Sequence, residues 1–503
     1  MPSLPLCALW ALAGVAAALP PLPSLLYYNE SQLMRTRALL AANDSSVAPA
    51  LAALMESLEK EILQGPWTVT SQTGAGPANT TNRTYVSIAP YWWPCVCMDP
   101  PDGEGCSMPP PPEGARPGVL PVASSKACNA STGLPWMQYD GVFNSCAIEL
   151  YRSRAAWGNF TAHFLNATLG YALTGDGRLA AAAASWARVF FVDAALSMLP
   201  NLDHGQFIPG VTAGRGIGII DFSQYCALGV LDGLLLLRGS ATWSEADEAG
   251  VQAWMRLFLS WLLTSPIAAE EAATLNNHCT YYRALVQAVA LYVGDRGTAA
   301  SFAESDGVRV LDVQVSPDGE LLLEEARTRS LHYVLFDLRA MQSLASTARR
   351  AGVELWGHAL AGGGASRPAI AAALDFLAPF ATGRAAWPHE QLDPFSMDEL
   401  WDVYMGASVA YAERASDFAA VAAALVQAPR ADDARRLLWP PAPSATPQAS
   451  GGREDAGVWL AVVGGAIAAG TLALGVKWRV GTRQGAGEGE KASLLRGTDR
   501  HKN

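Results

Sequence analysis

Two short runs concentrate the reactive chemistry of this chain. Leu275-Asn276-Asn277-His278 and, some fifty residues later, Arg327-Thr328-Arg329-Ser330-Leu331-His332-Tyr333 put amide, imidazole, guanidinium and phenol groups on segments otherwise rich in Ala and Leu. A purely packed core has no use for such groups, because a buried polar atom without a partner is costly. As a set they can hold a carboxylate and move a proton beside it: the amide and guanidinium donate to the anion, and the imidazole or phenol exchanges the proton. The bland alternative is a helix cap or a satisfied core cluster for Asn277 and His278, with His332 packed beside Tyr333.

Residues 32–63 and 145–438 read mainly as amphipathic or buried helices separated by short turns. Two stretches share one form. Residues 169–191 break at Thr174-Gly175-Asp176-Gly177 and residues 285–304 at Val293-Gly294-Asp295-Arg296-Gly297, each with a Tyr (Tyr171, Tyr292) just before the break. Glycine supplies a left-handed C-cap and Asp caps the following helix, so each predicts an antiparallel helix pair. Repeated pairs close into a toroid or stack into a solenoid. The region 66–140 is irregular and long enough to act as a lid. Only residues 312–315, before Pro317-Asp318-Gly319, look like strand.

The ends suggest a type I membrane topology. Residues 1–19 read as a signal peptide, 20–439 as the main domain, 440–456 as a Pro/Gly-rich linker, 457–476 as an uncharged transmembrane helix and 477–503 as a basic cytoplasmic tail. Glu490, Leu494 and Leu495 resemble a dileucine sorting motif for a cytoplasmic adaptor, which gives a surface or an endosomal/lysosomal destination. Seven sequons, at Asn29, Asn43, Asn79, Asn82, Asn129, Asn159 and Asn166, all precede the expected span. Five cysteines between Cys95 and Cys146 predict disulfides. Since seven remain after Cys7 in the signal, at least one thiol stays free, with Cys226 or Cys279 favoured. The net charge of −11 argues against nucleic acid as a ligand, so any polyanion must be held by a local cationic groove.

Further motifs occur in order along the chain: Tyr91-Trp92-Trp93-Pro94, Gly133-Leu134-Pro135-Trp136 with Asp140-Gly141 and Asn144, Asn201-Leu202 with Gln206 and Pro209-Gly210, and Gly214-Arg215-Gly216-Ile217-Gly218-Ile219-Ile220-Asp221, followed by the two runs above. The ordered set, over about residues 35–410, resembles the alginate-lyase-like family of polysaccharide lyases. The resemblance implies an all-α fold, an (α/α) toroid or incomplete α/α barrel, here followed by a single C-terminal transmembrane helix. It also implies a groove for an acidic polysaccharide, metal-independent β-elimination with no cofactor, and a catalytic group of Asn277, His278, Arg329, Arg327 and Tyr333. An insertion at about residues 95–132 and Cys279 after His278 depart from the family pattern, as does the arginine spacing before Tyr333.

Eliminating across a uronic acid requires loss of the C5 proton beside an ionised carboxylate and protonation of the departing oxygen. Asn277 and Arg329 or Arg327 are the expected neutralisers of that carboxylate. Tyr333, with an ordinary pKa of about 10, needs nearby positive charge to act as a base, and Arg329, four residues earlier on the expected helix, is placed to supply it. His278 is already suited to accept a proton, so the base is His278 or Tyr333. Tyr91, Trp93 and Trp136 offer flat faces to sugar rings, and His204, Gln206 and Arg215 are placed as substrate contacts by the resemblance. A glycoside hydrolase on a similar toroid is the nearest rival, although Glu270/Glu271, Asp221 and Glu324/Glu325 show no spacing that pairs them. A non-catalytic glycan-binding surface protein is the alternative from another class.

Overall fold

Two helical corners turn on a Gly-Asp pair. The helix Ser153–Thr174 ends at Gly175, whose φ of 74° lies in the left-handed region and whose N–H donates to Tyr171 O; Asp176 then caps Gly177–Ala187 by accepting from Arg178 N. The second corner repeats the device, with Gly294 at φ 85° and Asp295 accepting from Thr298 N to cap Arg296–Ser301. The computed structural model describes residues 19–71, 76–95, 129, 131–225, 229–360 and 367–440.

The hairpins pack in sequence. Asn277–Tyr292 lies along Ser330–Ala351 and against Glu245–Thr264, and Trp401–Ala410 lies along Ala415–Ala423. Between them runs an aromatic core in which Trp157 stacks on Phe222, centroids 4.0 Å apart and planes within 8°, with Phe160, Phe190, Trp254 and Phe258 around the pair. A smaller apolar cluster of Val86, Ile88, Trp92, Trp136, Ala147, Phe207 and Ile208 stands apart from this core.

Two contacts fasten the chain's distant parts. Thr36 Oγ1 donates to Leu437 O at 2.7 Å, joining the helix Glu30–Ala41 to Arg435–Leu438. The buried Asp232 carboxylate accepts the backbone amides of Leu26, Tyr27 and Tyr28 at 2.5, 2.8 and 2.6 Å, pinning the segment before the first helix. Burial pushes the Asp232 carboxyl up to about 6 despite these three donors.

Several expectations are corrected. The fold is mainly rather than wholly helical: Val86–Ile88 pairs in parallel with His204–Phe207, and Trp92–Trp93 pairs antiparallel with Met137–Gln138. Runs this short carry no periodicity, and they pair because β-branched and aromatic side chains meet across the small apolar cluster. Residues 312–315 are not strand. The helix Val308–Gln314 covers most of them and buries Val310, Leu311 and Gln314 on one face. The expected membrane helix is overturned as an element of the fold, because among the described residues no helix is long and apolar enough to cross a membrane. Even the 22-residue helices Ser153–Thr174 and Ser330–Ala351 carry polar and charged side chains along their length. The signal (1–18 of it), nearly all of the linker, residues 457–476 and the tail with Glu490, Leu494 and Leu495 lie outside the described residues, as do Cys97, Cys106, Cys128, Cys226 and the side chain of Cys146. Cys279 is a buried free thiol.

Replacing Asp232 by Ala strands three buried amides, and a loss of about 3 kcal/mol in unfolding free energy is expected. Asp232→Asn, which keeps one acceptor oxygen, should lose less. Denaturant titration of the two variants against the parent checks both the size and the order.

Candidate active site

The start of one helix fixes the Asn-His pair. Asn276 caps Asn277–Tyr292 by accepting from His278 N, which sets Asn277 and His278 in the first turn. Asn277, 1 % exposed, donates from its backbone N to Glu324 Oε1 at 2.8 Å and from Nδ2 to both Glu324 oxygens at 2.9 Å. Its Oδ1 is buried and accepts no hydrogen bond among the described residues. His278 Nδ1 lies 2.8 Å from Glu271 Oε2, and the other oxygen of Glu271 accepts from Ile219 N at 2.8 Å, so the carboxylate is held from both sides. Gly218 is required by this arrangement, since a Cβ there would stand 2.8 Å from Glu271 Oε1. With Nδ1 on Glu271, Nε2 is the ring nitrogen left to a bound molecule.

The second run supplies the cation and the phenol. Arg327 donates from Nε and Nη2 to Asp140, which also accepts from Thr328 N, and its guanidinium carbon sits 3.6 Å from the Tyr333 ring centroid. Tyr333 donates its hydroxyl to Tyr91 at 2.7 Å. A downstream segment straps this run in place: Ser330 N and Oγ donate to Glu390 O, Leu331 N to Gln391 Oε1, and Leu392 N to Thr328 O.

Electrostatics tie the two runs into one site. Burial pulls the His278 imidazole down, but the Glu271 carboxylate outweighs it and the group ends above its ordinary value, with Arg327 and Glu324 both close enough to act on its charge. Burial drives the Tyr333 phenol well above 10, helped by Tyr91, and the opposing pull of Arg327 does not reverse it. Tyr333 is therefore a neutral phenol at rest. His332 is held down at about 3 by burial and by Arg329, Arg339 and Arg327, so it stays uncharged. The fully buried Asp337, near Glu324 and Thr280, is raised well above the carboxylate range by burial and by the charge of Glu324.

Other expected site residues fall differently. The helix starts at Ser330, so Arg329 is its N-cap; it faces Asp393 at 3.1 Å, and it is Arg327 that covers the Tyr333 ring. Trp93 and Trp136 are 6 % and 5 % exposed, with Trp93 Nε1 donating to Val142 O, and neither offers an open face. Tyr91 is half-buried and belongs to the site through Tyr333. Gln206, at a left-handed φ of 55°, donates from Nε2 to Asp221 at 2.6 Å, and such non-glycine strain gathers at functional sites. His204 Nδ1 bonds Gly214 O, while Arg215 pairs with Glu270 and donates to Gly216 O, so both brace the glycine-rich loop. Glu271 and Glu324, weighed from sequence as hydrolytic acids, are 2 % and 1 % exposed supports of His278 and Asn277. Arg154 and Phe143 carried no sequence signal, yet Arg154 stands over Phe143 near Tyr91. Among the sequons, Asn43, Asn79, Asn82, Asn129 and Asn159 are exposed, whereas Asn29 is buried as a helix cap and Asn166 donates to Glu61. No group of three or more His, Cys, Asp or Glu among the described residues is arranged to hold a metal ion.

An imidazole backed by a carboxylate, a neutral phenol and a guanidinium are thus carried at the starts of packed helices. The alginate lyase family profile matches residues 68–387, and the chain belongs to that family. An alginate lyase from Bacteroides ovatus is 26 % identical, with a TM-score of 0.70 over 83 % of this chain and 99 % of that one. Alginate lyase A1-III from Sphingomonas species A1 is 16 % identical, with a TM-score of 0.42 over 59 % of this chain and 79 % of that one. No curated protein matches. The protein is a polysaccharide lyase.

Since Glu271 raises the His278 imidazole, Glu271→Gln should lower its titration point. Following the histidine ring C–H signals by NMR between pH 5 and 9, with His278→Gln for assignment, should place the parent midpoint above the ordinary value of about 6.5 and the variant's below the parent's.

Proposed function

We propose that this lyase cleaves alginate or a related polyuronate by metal-independent β-elimination, with His278 as the base at C5 and Tyr333 as the acid toward the departing oxygen. The observation that carries this reading is the pairing of opposite proton states in one place. His278 is backed by a carboxylate that favours proton uptake, and Tyr333 is kept as a phenol that donates to Tyr91.

In this scheme His278 Nε2 takes the C5 proton, and the imidazolium that forms is stabilised by Glu271. Negative charge moves onto the substrate carboxylate as that proton leaves. The Arg327 guanidinium is the group assigned to meet it, with Asn277 holding Glu324 behind the site, and an interaction that strengthens as charge develops lowers the barrier. Tyr333 then exchanges its bond to Tyr91 for one to the glycosidic oxygen and delivers its proton as the C4–O bond breaks, leaving a C4–C5 double bond. The three tasks of base, acid and charge neutralisation are each met by a side chain. The burial of Glu271 and Glu324 supports elimination over hydrolysis, because neither carboxylate is open to flank a glycosidic bond. The alginate lyase from Bacteroides ovatus, which shares the fold over nearly its whole length, supports alginate as the first substrate to try.

Incubating the protein with polymannuronate, polyguluronate and other polyuronates should raise the ultraviolet absorbance of an unsaturated uronate. New reducing ends without that chromophore would indicate hydrolysis, and retention of intact polymer would indicate a binder. Tyr333→Phe should lower kcat by about 10²–10⁴-fold with little change in polymer binding. Unchanged turnover removes Tyr333 from the mechanism. Because the base must be neutral, kcat should rise with pH through the elevated His278 midpoint, so the acidic limb lies above pH 6.5 and moves to lower pH in Glu271→Gln.

A further inference from the structure

Three arginines near the site are already matched to carboxylates: Arg327 to Asp140, Arg329 to Asp393 and Arg215 to Glu270. Arg154 is matched to Asp221 at a longer distance than any of these. It lies in the first turn of Ser153–Thr174, and its Nη1 is 3.4 Å from Asp221 Oδ1, yet this buried nitrogen donates no hydrogen bond among the described residues. The reason lies in Asp221, whose Oδ1 accepts from Gln206 Nε2 at 2.6 Å and whose Oδ2 accepts from Ser87 Oγ at 2.6 Å and faces the Tyr85 hydroxyl at 3.5 Å. With these nearer donors on its oxygens, Asp221 offers Arg154 charge at 3.4 Å without a directed bond.

The surroundings of Arg154 point toward the reactive groups. Its guanidinium carbon lies 5.5 Å from the centroid of the Phe143 ring, and Phe143 is 45 % exposed, unlike the enclosed Trp93 and Trp136. The Phe143 ring meets Tyr91 edge-on with centroids 6.4 Å apart, and Tyr91 accepts the Tyr333 hydroxyl. Arg154 is also close enough to Tyr91 to feel its charge. Arg154, Phe143 and Tyr91 thus form a continuous ledge ending at the phenol pair. An exposed aromatic face beside a partly exposed guanidinium suits a hexuronate ring, whose C–H face covers the aromatic while its carboxylate meets the guanidinium.

We propose that Arg154 and Phe143 form a second carboxylate-binding subsite, which holds the uronate unit adjacent to the one that reacts, on the Tyr91 side of the scissile bond. The assignment rests on the polyuronate reading above. It makes this ledge the feature that distinguishes an acidic polymer from a chain with a single charged residue, and it acts on binding rather than on proton transfer.

The test compares Arg154→Gln, Arg154→Lys and Phe143→Ala with the parent on polymannuronate and polyguluronate. Arg154→Gln should raise KM about tenfold or more, as expected for loss of a charge-assisted contact, with kcat within about threefold. Arg154→Lys should recover part of the loss, and Phe143→Ala, an exposed position, should raise KM several-fold without lowering Tm. Equilibrium binding of the uncleaved polymers to Tyr333→Phe protein, with and without Arg154→Gln, should show the same tenfold weakening. Unchanged KM and binding in Arg154→Gln overturn the subsite. A fall in kcat and Tm at constant KM assigns Arg154 to holding Asp221 and overturns it equally. If the parent yields no unsaturated product, the lyase chemistry fails, while the binding comparison still decides whether Arg154 holds the polymer.

Discussion

A carboxylate withdrawn from water is costly unless its lone pairs are met, and here two such groups, Glu271 and Glu324, sit directly behind the reactive side chains. Each is satisfied from more than one direction: Glu271 by Ile219 N and His278, Glu324 by the backbone and the amide of Asn277. The cost of burial is offset because the same bonds orient the imidazole and the amide. Without Glu271 the ring of His278 would be free to turn, and its basicity would fall toward that set by burial alone. Asp140 does comparable work on the other side, fixing the fork of Arg327 so that its flat face rests on Tyr333.

The helical frame gives these pairs their precision. Asn277 and His278 begin one helix and Tyr333 lies in the first turn of its neighbour, and the two helices pack along each other, so the proton-handling groups meet at the ends of rigid rods. The two small sheets carry further residues of the site. Trp92–Trp93 with Met137–Gln138 steadies Tyr91, while His204–Phe207 carries Gln206 in its left-handed conformation beside Asp221.

Much of this was legible from residue types alone, because amide, imidazole, guanidinium and phenol groups on Ala/Leu-rich helices have few other uses. The hairpin corners were equally plain, since Gly175 and Asp176 act through local backbone chemistry. Assigning the cation required knowing where a helix begins. A helix including Arg329 would have put it one turn from Tyr333, but the strap at Glu390 to Leu392 engages the backbone there and the helix starts at Ser330. Nothing near Arg329 in sequence announces that strap. The exposure of aromatics was likewise hidden, for Trp93 and Trp136 differ from Phe143 only in what covers them. Arg154 was silent because its significance depends on Asp221 being occupied by residues from two other segments, Ser87 and Gln206.

The bond from Thr36 to Leu437 spans 401 positions of chain. The entropic toll of such a closure grows only logarithmically with the intervening length, so the distance itself is a small thermodynamic burden. Its larger effect is on timing. During synthesis the first helix emerges long before the segment that seals it, and the hairpins between must associate while one flank stays open. The seam therefore couples synthesis of the segment around Leu437 to closure of the architecture, and loss of either Glu30–Ala41 or Arg435–Leu438 unfastens the same join.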